Sequence, residues 1–327
     1  MNISPLQVII SDSGWDAPFF KKIALNDSGE GRGHQGGPAL PKVLCTYLPT
    51  LNEGEITAST PTVERYLDIT MYVGLQPVAE SPVRYQFQTW GGTRPPEGRL
   101  TDGFAPLHKI SCKHDILIFQ RRIDSLNRFR VFLIRKDSAE YNQVEKLAAG
   151  RSWGALLSGH DPISQKQISE AHQEIDSLSK GSFQLINNDV KRLPTIQLRI
   201  ARSVVFKENV RSEYNCTCAV TGVGIATPYD SYEVESAHIV PISLGGSDDV
   251  RNGVSLSQTI HWAFDRGLFG ITSERRIYLP NKVRFMSRNA FLKTIEGKQV
   301  SEAKNTTARA HPDAFAWHLE NRVKRWE

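Results

Sequence analysis

Apolar and polar positions alternate in short runs through the first half of the chain. Tyr85, Phe87 and Thr89 alternate with Arg84, Gln86 and Gln88, and Phe129, Val131 and Leu133 with Arg130, Phe132 and Ile134. A period of two predicts strands. Ile116 to Phe119 is a continuous apolar run that reads as a further strand, and Val63 to Leu67 precedes another expected over Asp68 to Val73. Gly and Pro punctuate these runs, so the stretch from Phe19 to about Leu157 predicts a small barrel or sandwich of short strands. Residues 158–195 are polar and have no strand period. Within them Ser164 to Ser179 predicts an amphipathic helix with Ile168, Ala171, Ile175 and Leu178 on one side, and the stretch reads as a connector. No internal repeat is visible.

Beyond residue 195 the pattern changes. Val234, Ser236 and His238 end an alternating run that stops at Ile-Val-Pro, which reads as the end of a strand. A glycine-rich, acidic loop follows (Gly245, Gly246, Ser247, Asp248, Asp249), then Asn252-Gly253 and a short apolar strand through Val254 and Leu256. Ser257 is placed to cap a helix and Gly267 to stop it. On that helix His261 and Asp265 are four residues apart and leave the same face. An imidazole nitrogen and a carboxylate so placed suit one divalent cation with positions left open for substrate oxygens. Asp265 also sits in the last turn, at the negative end of the helix dipole, where a cation would compensate it. Taken singly, a structural histidine, an Asn-Gly turn and a surface contact explain these residues. Their order on strand, loop, strand and helix does not follow from those readings.

Charge and composition narrow the class. Hydrophobic content of 39% and charged content of 23% are those of a folded globular protein and exclude a disordered chain. At 327 residues the chain is long enough for two cores. A net charge of +5 mildly favours a polyanionic partner. Four scattered cysteines suit a reducing compartment better than a disulfide framework. The segment MNISPLQVIISDSGW lacks the basic start and apolar core of a signal peptide, and no apolar run reaches membrane-spanning length. The expectation is a cytoplasmic protein with no membrane partner.

The stretch ESAHIVPISLGGSDDVRNGVSLSQTIHWAFDRG, from Glu235 to Gly267, resembles the HNH nucleases, whose site is a ββα-metal finger. IQLRIARSVVFKENVRSEYNCTCAVTG upstream resembles the family's lead-in helix and Cys-Ala-Val-Thr-Gly turn, and HPDAFAWHLENRVKR downstream its closing helix. The resemblance implies that His238 is the general base that activates water, that Asn252 orients it, and that His261 and Asp265 hold Mg2+ or another divalent cation such as Mn2+. Many members carry Asp or His just before the base; Ala237 stands there, leaving Glu235 or water to complete the coordination. Cys216 and Cys218 stand apart from Cys45 and Cys112, so no structural zinc is expected.

The first half carries a second resemblance. FFKKIALNDSGEGRGHQGGPALPKVL, RYQFQTWGGTRPPEGRLTDGF, HDILIFQRRI and FRVFLI are similar to the effector DNA-binding domain of EcoRII-type restriction endonucleases, a DNA-binding pseudobarrel. It implies two loops that grip the major groove. The first is Asn26 to Gly37, with Arg32, His34 and Gln35; the second is Trp90 to Thr101, with Arg94, Glu97 and Arg99. Arg can pair with guanine and Glu can accept from cytosine, and the glycines of the first loop permit close approach. Pro95-Pro96 and one extra residue in the second arm, with Gly92 and Gly98 where the family has lysines, depart from the pattern.

Together these readings predict an α+β protein in which a β-rich DNA-binding pseudobarrel domain (residues 1–157) and a linker with a helix (158–195) precede an HNH ββα-metal nuclease domain (196–327). The expected function is restriction of a specific double-stranded DNA sequence by one-metal hydrolysis, leaving 5′-phosphate ends. A homodimer is expected because one site serves one strand, and a separately encoded methyltransferase is a possible partner. Restriction of methylated DNA is the nearest alternative; a DNA-binding regulator with an inactive HNH finger is the alternative of another class.

Overall fold

The apolar run Ile116–Phe119 lies within an eight-stranded sheet whose two faces are both covered. The computed structural model describes residues 7, 9, 12–31, 36–51, 56–57, 59–89, 95–187, 196–228 and 231–327. The strands are β1 (Phe19–Lys22), β2 (Ala39–Leu40), β3 (Thr62–Val73), β4 (Gln76–Gln88), β5 (Glu97–Leu100), β6 (Ile116–Arg121), β7 (Arg128–Ile134) and β8 (Trp153–Ala155). Their spatial order is β2-β5-β4-β3-β7-β6-β1-β8, antiparallel throughout except for the parallel pair β3 and β7. This is a curled half-barrel.

Strand alternation sorts its side chains between two cores. Phe19, Leu117, Phe119, Phe129, Val131 and Leu133 point to one face, with Leu67, Ile69, Met71 and Tyr85. Phe20, Ile116, Ile118, Phe132 and Ile134 point to the other, where helix α1 (Tyr141–Ala148) adds Val144 and Ala148. Burial on both faces explains why β6 has no polar alternation. β3 runs unbroken over twelve residues, where the sequence suggested an interruption near Leu67. Glu64, Arg65 and Tyr66 are exposed and break the apolar alternation, yet their backbones stay in register with Gln86, Tyr85 and Arg84 of β4. A buried ion pair ties the end of β6 to the segments around Asp16 and Ile163: Arg121 reaches Asp16 at 3.0 Å and donates to the Ile163 carbonyl at 2.8 Å. Burial raises the Asp16 carboxyl above its ordinary range, against the opposing pull of Arg121.

The chain divides into two compact units, Met1–Gln167 and Ile168–Glu327. Helix α2 (Gln165–Lys180) spans the division and buries Ile168, Ala171 and Ile175, as their spacing predicts. The second unit contains α3 (Ile196–Glu213), a hairpin of β9 (Glu235–His238) and β10 (Gly253–Leu256), α4 (Gln258–Asp265), a small hairpin of β11 (Gly270–Ile271) and β12 (Ile277–Tyr278), and α5 (Pro312–His318). The protein is therefore α+β. Among the described residues no helix is long and apolar enough to cross a membrane.

Candidate active site

The hairpin of β9 and β10 pairs His238 with Gly253 and Glu235 with Leu256. α3 packs across it: Ser236 donates from Oγ to the Lys207 carbonyl at 2.5 Å. Gly253 is glycine because of this packing. A Cβ there would stand 2.3 Å from Val210 and 2.9 Å from Phe206, both on α3. The Asn-Gly pair is thus a close-approach device as much as a turn. The turn after α3 is tied to the same sheet, since Ala219 N–H donates to the Ser255 carbonyl at 2.8 Å.

His238 sits at the end of β9 with its ring stacked on Phe206 at 3.7 Å between centroids, 8° from parallel. Its Nε2 lies 3.2 Å from Asp248 Oδ1, and Nδ1 has no partner among the described residues. Asn252 is fully buried in the loop that joins the strands. Its Oδ1 accepts from Val240 N–H at 2.9 Å, and its Nδ2 donates to the carbonyls of Val240 at 3.0 Å and Ser247 at 2.9 Å. Three bonds from one amide fold the glycine-rich loop back beside the strand. Gly246 lets that loop close, because a Cβ there would lie 1.9 Å from the Val240 carbonyl oxygen.

α4 buries Ile260, Ala263 and Phe264 and turns His261 and Asp265 outward. His261 Nδ1 lies 2.7 Å from Glu235 Oε2 on β9, and its Nε2 lies 3.5 Å from Asp265 Oδ2. The structure thus brings β9 and α4 together through Glu235 and His261. Strand parity explains why Glu235 serves. It shares a strand face with the fully buried Ala237, two residues on, and is long enough to reach α4. Among the described residues no three His, Cys, Asp or Glu side chains converge on one point. The two carboxylates instead flank opposite nitrogens of a single imidazole. A metal-binding histidine is usually held in this way, donating its second N–H to a carboxylate. His261 Nε2 and Asp265 are the pair that could hold a hard divalent ion, with Glu235 orienting the ring.

Three contributors escaped the sequence reading. Asp248 appeared only as part of an acidic loop. Arg202 and Phe206 appeared only in a lead-in helix, yet their spacing of four puts both on one face of α3. His318 is the fourth contact of interest, behind α4. It donates from Nε2 to the Phe264 carbonyl at 3.0 Å and stacks on Phe264 at 3.8 Å. Burial lowers its pKa to about 4 from an ordinary 6.5. The neutral ring belongs to the folded state, so its contribution is complete above about pH 6.5 and is lost as pH falls toward about 4. The expected loss is roughly 3 kcal/mol across that window. Urea unfolding followed between those pH values should show this slope in the second unit, and His318→Gln should flatten it.

In the first unit, Arg32, His34, Gln35 and Arg94 lie outside the described residues. Glu97 and Arg99 stand on β5. Arg99 is buried and faces inward: its guanidinium donates to the Gly37 carbonyl and lies 3.6 Å from Asp27 and 3.2 Å from Glu97. It joins the start and the end of the first arm. Beside it, Lys21, Asn26, Asp27, Pro96 and Glu97 line an open cavity of about 600 Å³.

Residues 218–272 match the family described as HNH endonuclease. Among solved structures, a modification dependent TagI restriction endonuclease is similar at 21% identity over 37% of this chain and 38% of its own, with a TM-score of 0.30. The likeness therefore spans well under half of that protein. No curated protein matches the chain. The second unit carries an HNH endonuclease domain, and the ββα elements around His238 and His261 lie within it.

Proposed function

We propose that the protein is a restriction endonuclease that selects a short sequence of double-stranded DNA with its first unit and hydrolyses phosphodiester bonds at the HNH site of its second. The observation that carries this reading is the contact of Glu235 with His261 at 2.7 Å. It brings the strand that ends in His238 against the helix that bears Asp265. His261 and Asp265 would hold Mg2+ or Mn2+, and Glu235 would fix the His261 ring. Such a cation, when bound, supplies positive charge to the phosphate and the departing oxygen. His238 takes a proton from the water that attacks phosphorus, and the 3′ oxygen leaves, giving a 5′-phosphate end. Asn252 holds the loop that carries Asp248 to His238.

In the first unit, Arg32, His34, Gln35, Arg94 and Glu97 are the proposed base readers, with Arg99 bracing the arm that bears the first three. One site cleaves one strand, so a homodimer makes the double-strand break. A separately encoded methyltransferase would protect host DNA. The test is digestion of matched unmodified and cytosine-methylated plasmids with Mg2+ or Mn2+, followed by sequencing of the ends. Cleavage of unmodified DNA at a recurring site with 5′-phosphate ends is expected. Cleavage confined to the methylated plasmid would move the target to modified DNA. Specific binding without cleavage of either would overturn the nuclease reading in favour of a regulator.

A further inference from the structure

Asp248 is almost fully buried, and a buried carboxylate needs donors for its oxygens. Its two oxygens face different side chains: Oδ1 lies within hydrogen-bond distance of His238 Nε2 at 3.2 Å, and Oδ2 is ion-paired with the Arg202 guanidinium, 3.4 Å from Nε. Arg202 is itself buried, with its Nη1 3.6 Å from Glu174. From this chain of contacts we infer that Asp248 is a positioning residue for the general base, fixing the tautomer of His238 whose free nitrogen is Nδ1. The inference rests on the nuclease reading above.

An ionised carboxylate only accepts, so the hydrogen between Asp248 and His238 belongs to Nε2. In a neutral imidazole the lone pair is then at Nδ1, the atom without a partner among the described residues. The ring cannot swing away. Phe206 covers one face at 3.7 Å, and the loop bearing Asp248 is pinned at Ser247 by Asn252. Arg202 and Phe206 come from the same face of α3, so one helix supplies both the wall behind the ring and the anchor for its carboxylate. When His238 becomes positively charged on taking the proton from water, Asp248 already faces that charge.

Asp248→Asn separates this role from a merely structural one. Arg202 only donates, so the asparagine oxygen turns toward Arg202 and its NH2 toward His238. Nε2 must then accept, the proton moves to Nδ1, and the acceptor is lost. The expected result is a fall in kcat of about 10²–10⁴-fold, with KM for duplex DNA nearly unchanged. The deficit should narrow at high pH, where hydroxide supplies the nucleophile without a base. Full kcat in this variant would overturn the inference while leaving the nuclease reading intact. A second measurement needs no variant of Asp248: nitrogen-15 histidine spectra of the full-length wild-type protein, with His238→Gln to assign the signal. The Nε2–H form supports the inference, and the Nδ1–H form sinks it, whether or not the protein cuts DNA. Absence of cleavage by the wild type would count against the nuclease reading alone.

Discussion

His238→Ala is expected to slow phosphodiester cleavage by about 10²–10⁴-fold, the usual contribution of a placed general base. Binding to duplex DNA should be almost unchanged, because the proposed base readers belong to the first unit. The fold should survive as well. His238 is partly exposed at a strand end, and its backbone pairing with Gly253 does not depend on its side chain. Single-turnover cleavage of a labelled duplex, read beside a gel-shift titration, separates the two effects. A rate within a few-fold of wild type would remove His238 from the chemistry and with it the reading of the hairpin as a nuclease site.

His261→Ala should have an effect at least as large, by a different route. The side chain joins β9 to α4 and is one of the two donors proposed for the cation. Electrostatic stabilisation by a catalytic cation is worth several kcal/mol, so its loss corresponds to about 10³-fold or more in rate. Chelation with EDTA should abolish cleavage by the wild type, and added Mn2+ should restore it. The variant should need far more Mn2+ or stay inactive. Glu235→Gln should be milder, about 10–100-fold in metal affinity or rate, as expected when the partner of a metal-bound histidine is weakened. If Glu235→Gln proved worse than His261→Ala, the carboxylate would itself be the principal ligand and the assignment would reverse. Measuring the cleavage rate against Mn2+ concentration for all three proteins decides this.

Much of this arrangement was legible from local pattern. The strand, the loop, the second strand and the helix around His238 follow from alternation, Gly-Gly, Asn-Gly and the Ser257–Gly267 interval, because each is set by residues adjacent in the chain. The helix over Gln165–Lys180 was equally visible from its apolar stripe. The contacts that cross the chain were not. Asp248 reads as one more solvated acid until the fold buries it against Arg202, forty-six residues earlier. Alternation also misled at Glu64–Tyr66, where exposed side chains hid a backbone that remains paired. Arg99 shows the reverse difficulty. Its type and loop fit a base reader, but only the fold reveals that its guanidinium is committed to Asp27, Glu97 and Gly37.

The helix Ile196–Glu213 lies wholly upstream of the family-matched segment, which begins at residue 218. Yet it shields the His238 ring with Phe206, counterbalances Asp248 with Arg202 and fills the notch over Gly253 with Val210. The proposed cutting unit is therefore larger than its signature. A fragment trimmed to the recognisable motif would keep every hallmark residue and lose the backing that aims them.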